Sequence, residues 1–270
     1  MNNEVYNFYK SIGNAGYKFY QDCVAGFTFI GGTVSSFVHG MRYPKKIRWK
    51  ETLYYMDNCG SDALPIIITV GFLVGFVLAM QGVVQLEKLG AKLMVMDLVV
   101  LSIFKELGPI TAAIVATGRA GSAFAAEIGT MKVTEEVDAM NVMGFELGRF
   151  LIVPKIIAMI VVMPILTIFA NIAAICGGIL VNFQMGISIP ESLCKVFSVL
   201  TFSDYMQSVV KSIVFGVIIA SVGCMRGLET EKDSQSVGRS TTSAVVTSIF
   251  ILAVADTILT LIFCMFQMSD

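Results

Sequence analysis

The residues with the clearest chemical meaning are charges inside apolar segments. Lys105 and Glu106 lie within an apolar run that begins at Leu98, and Asp256 lies near the middle of another. A charge facing lipid at the centre of a helix costs about 2.5–3.5 kcal/mol, so each needs water, a partner helix or a polar ligand. Consecutive helical residues point about 100° apart, so Lys105 and Glu106 are not expected to pair with each other.

Each of these charges allows two interpretations. Lys105 and Glu106 either snorkel at the membrane boundary or line a cavity with a polar mouth, and we favour the cavity. The adjacent Gly108 and Pro109 bend a helix and free backbone groups to face such a cavity. Asp256 is either a structural hydrogen-bond acceptor or a proton-relay carboxylate. We favour the structural role, because its own run holds no second carboxylate to extend a relay.

Residue types needed for catalysis are scarce. His39 is the only histidine, which excludes a histidine-based metal site and the usual serine or cysteine catalytic sets. The six cysteines are dispersed without a C-x-x-C pair, so we expect reduced packing residues. The phosphate-binding motif G-x-x-x-x-G-K-[ST] is absent. We therefore predict no enzyme activity, no catalytic residue, no metal and no cofactor, and the net charge of −1 gives no reason to expect nucleic-acid binding.

The composition predicts the elements that position these charges. Hydrophobic residues make up 56% of the chain and charged residues 14%, against about 25% charged in soluble domains. Five apolar runs follow one another, and a helix over the first would reach about 34 Å, enough to cross a bilayer core. The runs are 64–86, 98 to about 126, 156–182, 209–225 and 244–266. The sequence predicts an all-α membrane protein with five transmembrane helices.

The first sixty residues differ from the rest. Aromatic residues recur among polar ones, and a basic cluster at 42–50 directly precedes the first apolar run. We predict an interfacial or elbow helical segment over 1–60, without a cleavable signal peptide, followed by a five-span domain over 61–270.

The distribution of basic residues predicts the orientation. With the N-terminus in the cytoplasm, most of the 19 lysines and arginines fall on the cytoplasmic side, and only Lys88, Lys92, Lys195 and Lys211 on the other. This bias places the C-terminus in the periplasm.

The segment between the second and third runs is then cytoplasmic. Thr134 is a candidate N-cap for a short helix that carries Glu135 and Glu136 in its first turn. Such a helix either docks in a groove of a soluble partner or lies at the interface without one. The small residues of 118–123 predict close helix packing, and Arg119 is expected to snorkel or pair with an acid.

Several segments in order resemble the MlaE/YrbE family, the permeases of ABC transporters that work with MCE-domain lipid-binding proteins. They are Lys-Glu-Leu-Gly-Pro at 105–109, Gly-Arg-Ala-Gly-Ser-Ala at 118–123, Ala-Glu-Ile-Gly-Thr-Met-Lys-Val-Thr-Glu-Glu-Val-Asp-Ala-Met at 126–140 and Val-Gly-Arg-Ser-Thr-Thr-Ser-Ala-Val-Val at 237–246. The resemblance runs from about residue 60 to the C-terminus. It implies a homodimer in the bacterial inner membrane, and a coupling helix at about 130–143 that docks on a separate ABC ATPase subunit.

The resemblance also implies site residues and partners. The lipid pocket would be lined by Leu78, Gln81, Leu86, Leu89, Lys105, Glu106 and Leu107. Coupling to the ATPase would involve Thr130, Lys132, Thr134, Glu135, Glu136 and Asp138. The implied partners are phospholipid, a periplasmic MCE-domain protein and, as a further candidate, a STAS-domain protein. Lys105 stands where the family often has arginine, which keeps the charge but loses bidentate phosphate recognition.

The leading hypothesis is an ATP-driven phospholipid permease whose partner hydrolyses ATP. One rival is a proton-coupled secondary transporter built around Asp256, Glu106 and Lys105. Another is a membrane scaffold that anchors lipid-binding domains without transporting lipid.

Overall fold

The computed structural model describes residues 48–88, 90 and 94–267, and every regular element within them is helical. The α-helices are α1 (Trp49–Ser61), α2 (Leu64–Glu87), α3 (Val95–Ser102), α4 (Gly108–Ala116), α5 (Ser122–Val133), α6 (Glu136–Val142), α7 (Val153–Gln184), α8 (Ile189–Val199), α9 (Phe202–Leu228) and α10 (Ser234–Gln267). Three π-helical turns, π1 (Ile103–Leu107), π2 (Thr117–Gly121) and π3 (Gly148–Ile152), join or precede α-helices. Leu89 and nearly all of the segment 1–60 before α1 lie outside the described residues.

Five helical segments of the described chain are long and apolar enough to cross a membrane, which confirms the predicted architecture. They are Trp49–Glu87, Val95–Val133, Gly148–Gln184, Phe202–Leu228 and Ser234–Met265. Each is longer than its apolar run, because the helices continue into polar residues at their ends. The segment between the third and fourth spans contains the short helix α8.

The fourth span also begins before its apolar run, and this changes the place of one charged residue. Its apolar run begins at Val209, but α9 begins at Phe202, where Thr201 and Asp204 form a reciprocal capping box. Lys211 therefore lies well inside the helix and is fully buried, so it does not belong to the outer flank on which the charge count placed it.

Close contact between α2 and α7 depends on glycines. A Cβ atom at Gly75 would lie 1.9 Å from the carbonyl oxygen of Ala174, and one at Gly71 would lie 2.8 Å from that of Ala170. Gly177 faces α2 in the same way, 2.3 Å from the carbonyl oxygen of Phe72. The Gly71–Gly75 pair, spaced as G-x-x-x-G, thus permits close helix packing.

The acidic helix is shorter than expected and its cap differs. Residues 130–133 continue α5, Thr134 follows that helix as its C-cap, and α6 spans Glu136–Val142. The residue before α6 is Glu135, which adopts a left-handed conformation with φ of 62°. Thr134 is therefore not the N-cap of α6. Its hydroxyl instead lies 3.1 Å from Oε1 of Glu136.

Candidate functional site

A cluster of charged side chains joins the second, fourth and fifth spans. The Nζ atom of Lys211 donates hydrogen bonds to Glu106 Oε2 at 2.6 Å, to Asp256 Oδ1 at 2.9 Å and to Thr260 Oγ1 at 2.8 Å. The Thr260 hydroxyl also lies 2.8 Å from Glu106 Oε1. Lys211 uses all three of its donors here, so the ammonium group is fully satisfied.

The cluster carries one positive and two negative groups at different depths. Lys211 is 0% exposed, whereas the side chains of Asp256 and Glu106 are 16% and 35% exposed. The two carboxylates therefore share one buried cation, and Glu106 reaches the surface of the bundle. The interpretation of Asp256 as a structural acceptor agrees with its bond to Lys211, and the cluster also brings Glu106 to the same cation.

The fold places this cluster between two apolar cores. One core includes Ile103 and Phe104, directly before Lys105, and the other includes Ala112 on the following helix. Between them, the backbone N–H of Gly108 donates to the carbonyl of Ile103, which closes the π1 turn. Single π turns inside α-helices often occur at functional sites, and this one holds both Lys105 and Glu106.

Gly108 also allows a polar neighbour to approach. A Cβ atom at this position would lie 1.7 Å from Oδ1 of Asn171, a buried amide of α7. The Asn171 Nδ2 atom donates to the hydroxyl of Ser208, one turn before Lys211 on α9. Polar side chains of the third and fourth spans thus meet beside the cluster, where Gly108 of the second span leaves room for them.

Lys105 has a separate environment from Glu106. Its Nζ atom lies 3.3 Å from Oδ1 of Asp204, the residue that caps the start of α9. The two neighbouring charges therefore face different partners, as helix geometry predicts. Both side chains remain partly exposed, at 27% for Lys105 and 35% for Glu106, so they differ in partner rather than in burial.

The other predicted pocket residues lie on α2 and π1. Leu78 and Leu86 are half-buried and pack against the core that contains Ile103 and Phe104. Leu107 is also half-buried, whereas Gln81 is exposed. The structure thus brings two α2 leucines to the same core as the start of π1.

Some of the predicted coupling residues contact other segments of the chain, and the others have no such contact among the described residues and are exposed. The Nζ atom of Lys232, in the α9–α10 loop, lies 2.9 Å from Glu135 Oε1 and 3.2 Å from Asp138 Oδ2. Lys132 donates a hydrogen bond to the carbonyl of Leu228 at the end of α9. The pKa of Lys232 is raised above its ordinary value by hydrogen bonds with Glu135 and Asp138.

Thr130, near the end of α5, and Glu136, at the start of α6, are both exposed. The Thr130 hydroxyl bonds back to the carbonyl of Ala126 within α5. Near the end of α6, Val142 is 90% exposed and Met143 is 64% exposed, which leaves an apolar tip beside Glu136 on this short helix.

A second buried charge cluster joins α1, α5 and α7. The fully buried Lys155 donates to the Tyr55 hydroxyl at 2.9 Å and to Glu127 Oε1 at 3.1 Å, and Tyr55 donates to Glu127 at 2.6 Å. Nearby, Arg119 pairs with Asp62 at 2.5 Å, as expected for an arginine at the boundary.

Sequence reasoning missed Lys211 as the centre of the main cluster. The available signal was its position two residues inside an apolar run, between Ser208 and Ser212. An intramembrane lysine with carboxylates on other spans requires a partner search, because an unpaired charge there is costly.

Comparison with known proteins gives a consistent set of relatives. The family model described as Permease MlaE matches residues 52–262. A probable ABC transporter permease protein of Rickettsia conorii is 32% identical over 260 residues, which cover 96% of this chain and 98% of that protein. A probable ABC transporter permease protein of Synechocystis is 37% identical over 239 residues, covering 88% and 89% of the two chains.

A plant relative is also similar. The chloroplast protein TRIGALACTOSYLDIACYLGLYCEROL 1 of Arabidopsis thaliana is 34% identical over 219 residues, which cover 81% of this chain and 63% of that protein. The similarity therefore extends across most of the described helices.

Proposed function

This chain belongs to the MlaE permease family, and we propose that it is the membrane-spanning subunit of an ABC transporter that moves phospholipid between the inner membrane and the periplasm or outer membrane. A separate ATPase subunit powers the movement. The active unit is a homodimer that works with a periplasmic MCE-domain protein, and a STAS-domain protein is a further candidate partner.

The observation that carries this proposal is the Glu106–Lys211–Asp256 cluster within a largely apolar bundle. Glu106 is partly exposed, and Lys105 lies beside it near the membrane boundary. Such a site offers charges to a lipid headgroup, while Leu78, Leu86 and Leu107 offer apolar surface to acyl chains. Gln81 is the remaining described residue of the proposed pocket, and the proposal also includes Leu89, which lies outside the described residues.

A lipid cargo also agrees with the relatives. The Arabidopsis relative is named for a galactolipid, and the bacterial relatives are named as ABC transporter permeases. For this chain, we assign α6 and its flanking residues to the contact with the ATPase. Its exposed apolar tip and Glu136 offer the chemistry that a groove on a soluble partner receives.

Charge reversal at Glu106 tests the pocket. Glu106→Lys places a second cation beside Lys211, so we expect less co-purified phospholipid and slower ATP-driven transport in proteoliposomes that contain the ATPase. Mass spectrometry of bound lipid and a fluorescent-lipid transfer assay measure the two effects. Glu191→Lys, an exposed charge reversal on α8, is the matched control. Lipid occupancy and transport equal to the unmodified chain would remove Glu106 from the pocket.

The same assay tests the alternative of a proton-coupled secondary transporter. One observation favours that alternative, namely that the carboxylates of Glu106 and Asp256 share Lys211. That alternative predicts transport by the isolated chain under a pH gradient without nucleotide. Our proposal predicts transport only with ATP and the ATPase subunit. A non-transporting scaffold predicts no transport under either condition and no effect of pocket substitutions.

A further inference from the structure

A cleft lined by two arginines lies at the end of the bundle where the first and third spans begin. It has a volume of about 400 Å³ and is lined by Arg48, Gly144, Phe145, Glu146, Arg149 and Phe150. Arg48 directly precedes α1, and Arg149 is the second residue of π3. The cleft is separate from the Glu106–Lys211–Asp256 cluster, whose residues lie on other elements.

The backbone brings these residues together through a tight turn after α6. Gly144 has a φ of 78°, a left-handed conformation that glycine adopts without strain. The amides of Gly144 and Phe145 bond back to the carbonyls of Asn141 and Met140. The chain then enters π3, which places Phe145 and Phe150 5.3 Å apart between ring centroids.

The two guanidinium groups differ in how they are satisfied. Arg48 lies 4.3 Å above the ring centroid of Phe150 and also pairs with Glu51. In contrast, the Nη2 atom of Arg149 is buried and has no hydrogen-bond partner among the described residues. Glu146, one turn earlier in the same cleft, forms no ion pair with Arg149 in the described structure. A buried N–H of a charged group without an acceptor is costly, so this position favours an acceptor, and an anion also matches the charge of the guanidinium group.

The surroundings favour phosphate as that anion. A planar guanidinium group donates two parallel hydrogen bonds to phosphate oxygens. Trp49 and Phe145 beside the cleft are about half exposed, as expected for aromatic residues at a membrane boundary. The lining has one more positive than negative charge, which favours a headgroup with net negative charge over a zwitterionic one.

We propose that the Arg48–Arg149 cleft binds a phosphate group with net negative charge, carried by an anionic lipid headgroup or free in solution. This site goes beyond the proposed transport function, since it depends on neither the cargo nor the direction of movement. Arg149 binds the phosphate oxygens, and Arg48, held by Phe150, contributes the second positive charge.

Trp49 provides a direct readout, because it is the only tryptophan in the chain and adjoins Arg48. The full chain is placed in phosphatidylcholine nanodiscs with increasing brominated phosphatidylglycerol, whose acyl bromines quench nearby tryptophan. We expect half-maximal quenching at a lower phosphatidylglycerol fraction than for brominated phosphatidylcholine. Arg149→Gln should raise that fraction about fivefold, the effect of one charge at a membrane surface. Arg149→Lys should have an intermediate effect.

Lys88→Gln, which removes an exposed charge at the far end of α2, is the matched control and should match the unmodified chain. Inorganic phosphate is then titrated against the brominated lipid. Competition by phosphate identifies a free-phosphate site, and resistance to it identifies a lipid site; either result supports the phosphate assignment. The proposal would be overturned if the two brominated lipids quench Trp49 equally and neither phosphate nor Arg149→Gln changes the quenching. The Arg149→Gln chain must elute normally on size exclusion for this comparison.

Discussion

Lys211 is the residue whose loss should disturb the fold most. It is fully buried and is the shared partner of Glu106 and Asp256. Lys211→Met leaves two carboxylates close together without a cation. Removing one partner of a buried ion pair typically costs about 3–5 kcal/mol. We expect a clearly lower Tm for the purified variant, measured by fluorescence-detected size exclusion during heating.

A combined variant separates charge balance from packing. Lys211→Met together with Glu106→Gln and Asp256→Asn removes all three charges, so most of the lost stability should return. If the single and combined variants have the same Tm, the cluster does not hold the three spans together through charge. ATP-driven lipid transport should stay low in both variants, since the headgroup contact at Glu106 is lost.

At the scale of residues, the sequence identified three of the four charged groups around the cluster. Lys105, Glu106 and Asp256 were recognisable because an apolar run makes any charge conspicuous. Their pairing was not recognisable, because it depends on which faces of three different helices meet. Lys211 was counted on the outer flank because it lies only two residues inside its apolar run, whereas the capping box at Thr201 starts α9 well before that run.

At the scale of elements, the packing of α2 on α7 predicts that a glycine-to-alanine change lowers the Tm at one glycine and does not lower it at another. Gly75→Ala would place a Cβ atom 1.9 Å from a backbone oxygen that cannot move alone, so the helices must separate and the Tm should fall. Gly238→Ala on α10 meets nothing within 4 Å, and alanine is favoured over glycine in a helix by about 1 kcal/mol. Its Tm should stay level or rise, and a similar fall in both variants would contradict close α2–α7 packing.

The π turns explain part of what sequence periodicity could not predict. Each of the three contains a charged residue: Glu106 with Lys105, Arg119 and Arg149. A π turn inserts an extra residue into the helical repeat, so side chains after it face a different direction from that expected for a regular α-helix. The spans themselves were predictable from apolar length, but these changes of direction were not.

The short helix α6 gives a prediction for the ATPase contact. Glu136 is exposed, whereas Glu135 and Asp138 face Lys232 within the chain. Glu136→Lys should therefore weaken association with the ATPase while leaving the Tm unchanged. Co-purification with a tagged ATPase subunit measures the effect, and Glu191→Lys on α8 controls for an exposed charge reversal. Unchanged co-purification would remove Glu136 from the contact.

At the scale of the whole molecule, the two ends of the bundle differ in charge. One end of the bundle contains α6 and the α9–α10 loop. Among the described residues, this end carries Lys132, Arg149, Arg226 and Lys232, and the sequence before α1 adds a basic cluster. With Lys211 now inside the bundle, the opposite end retains only Lys88, Lys92 and Lys195 of the four basic residues assigned to it. This correction strengthens the charge bias that favours a cytoplasmic N-terminus.

Two exposed apolar residues test this orientation directly. Val142 near the end of α6 is 90% exposed, and Phe197 on α8 is 79% exposed, and they lie in connections on opposite sides of the third span. Cysteines 176, 194 and 264 are already exposed, so Val142→Cys and Phe197→Cys are each made in a chain with its native cysteines replaced by alanine.

A membrane-impermeant maleimide should label the cysteine at 197 in intact spheroplasts and the cysteine at 142 only after permeabilisation. The chain without added cysteine gives the background. Labelling at 142 in intact cells would place α6 in the periplasm, where no ATP-hydrolysing partner can reach it, and the proposed coupling would be wrong.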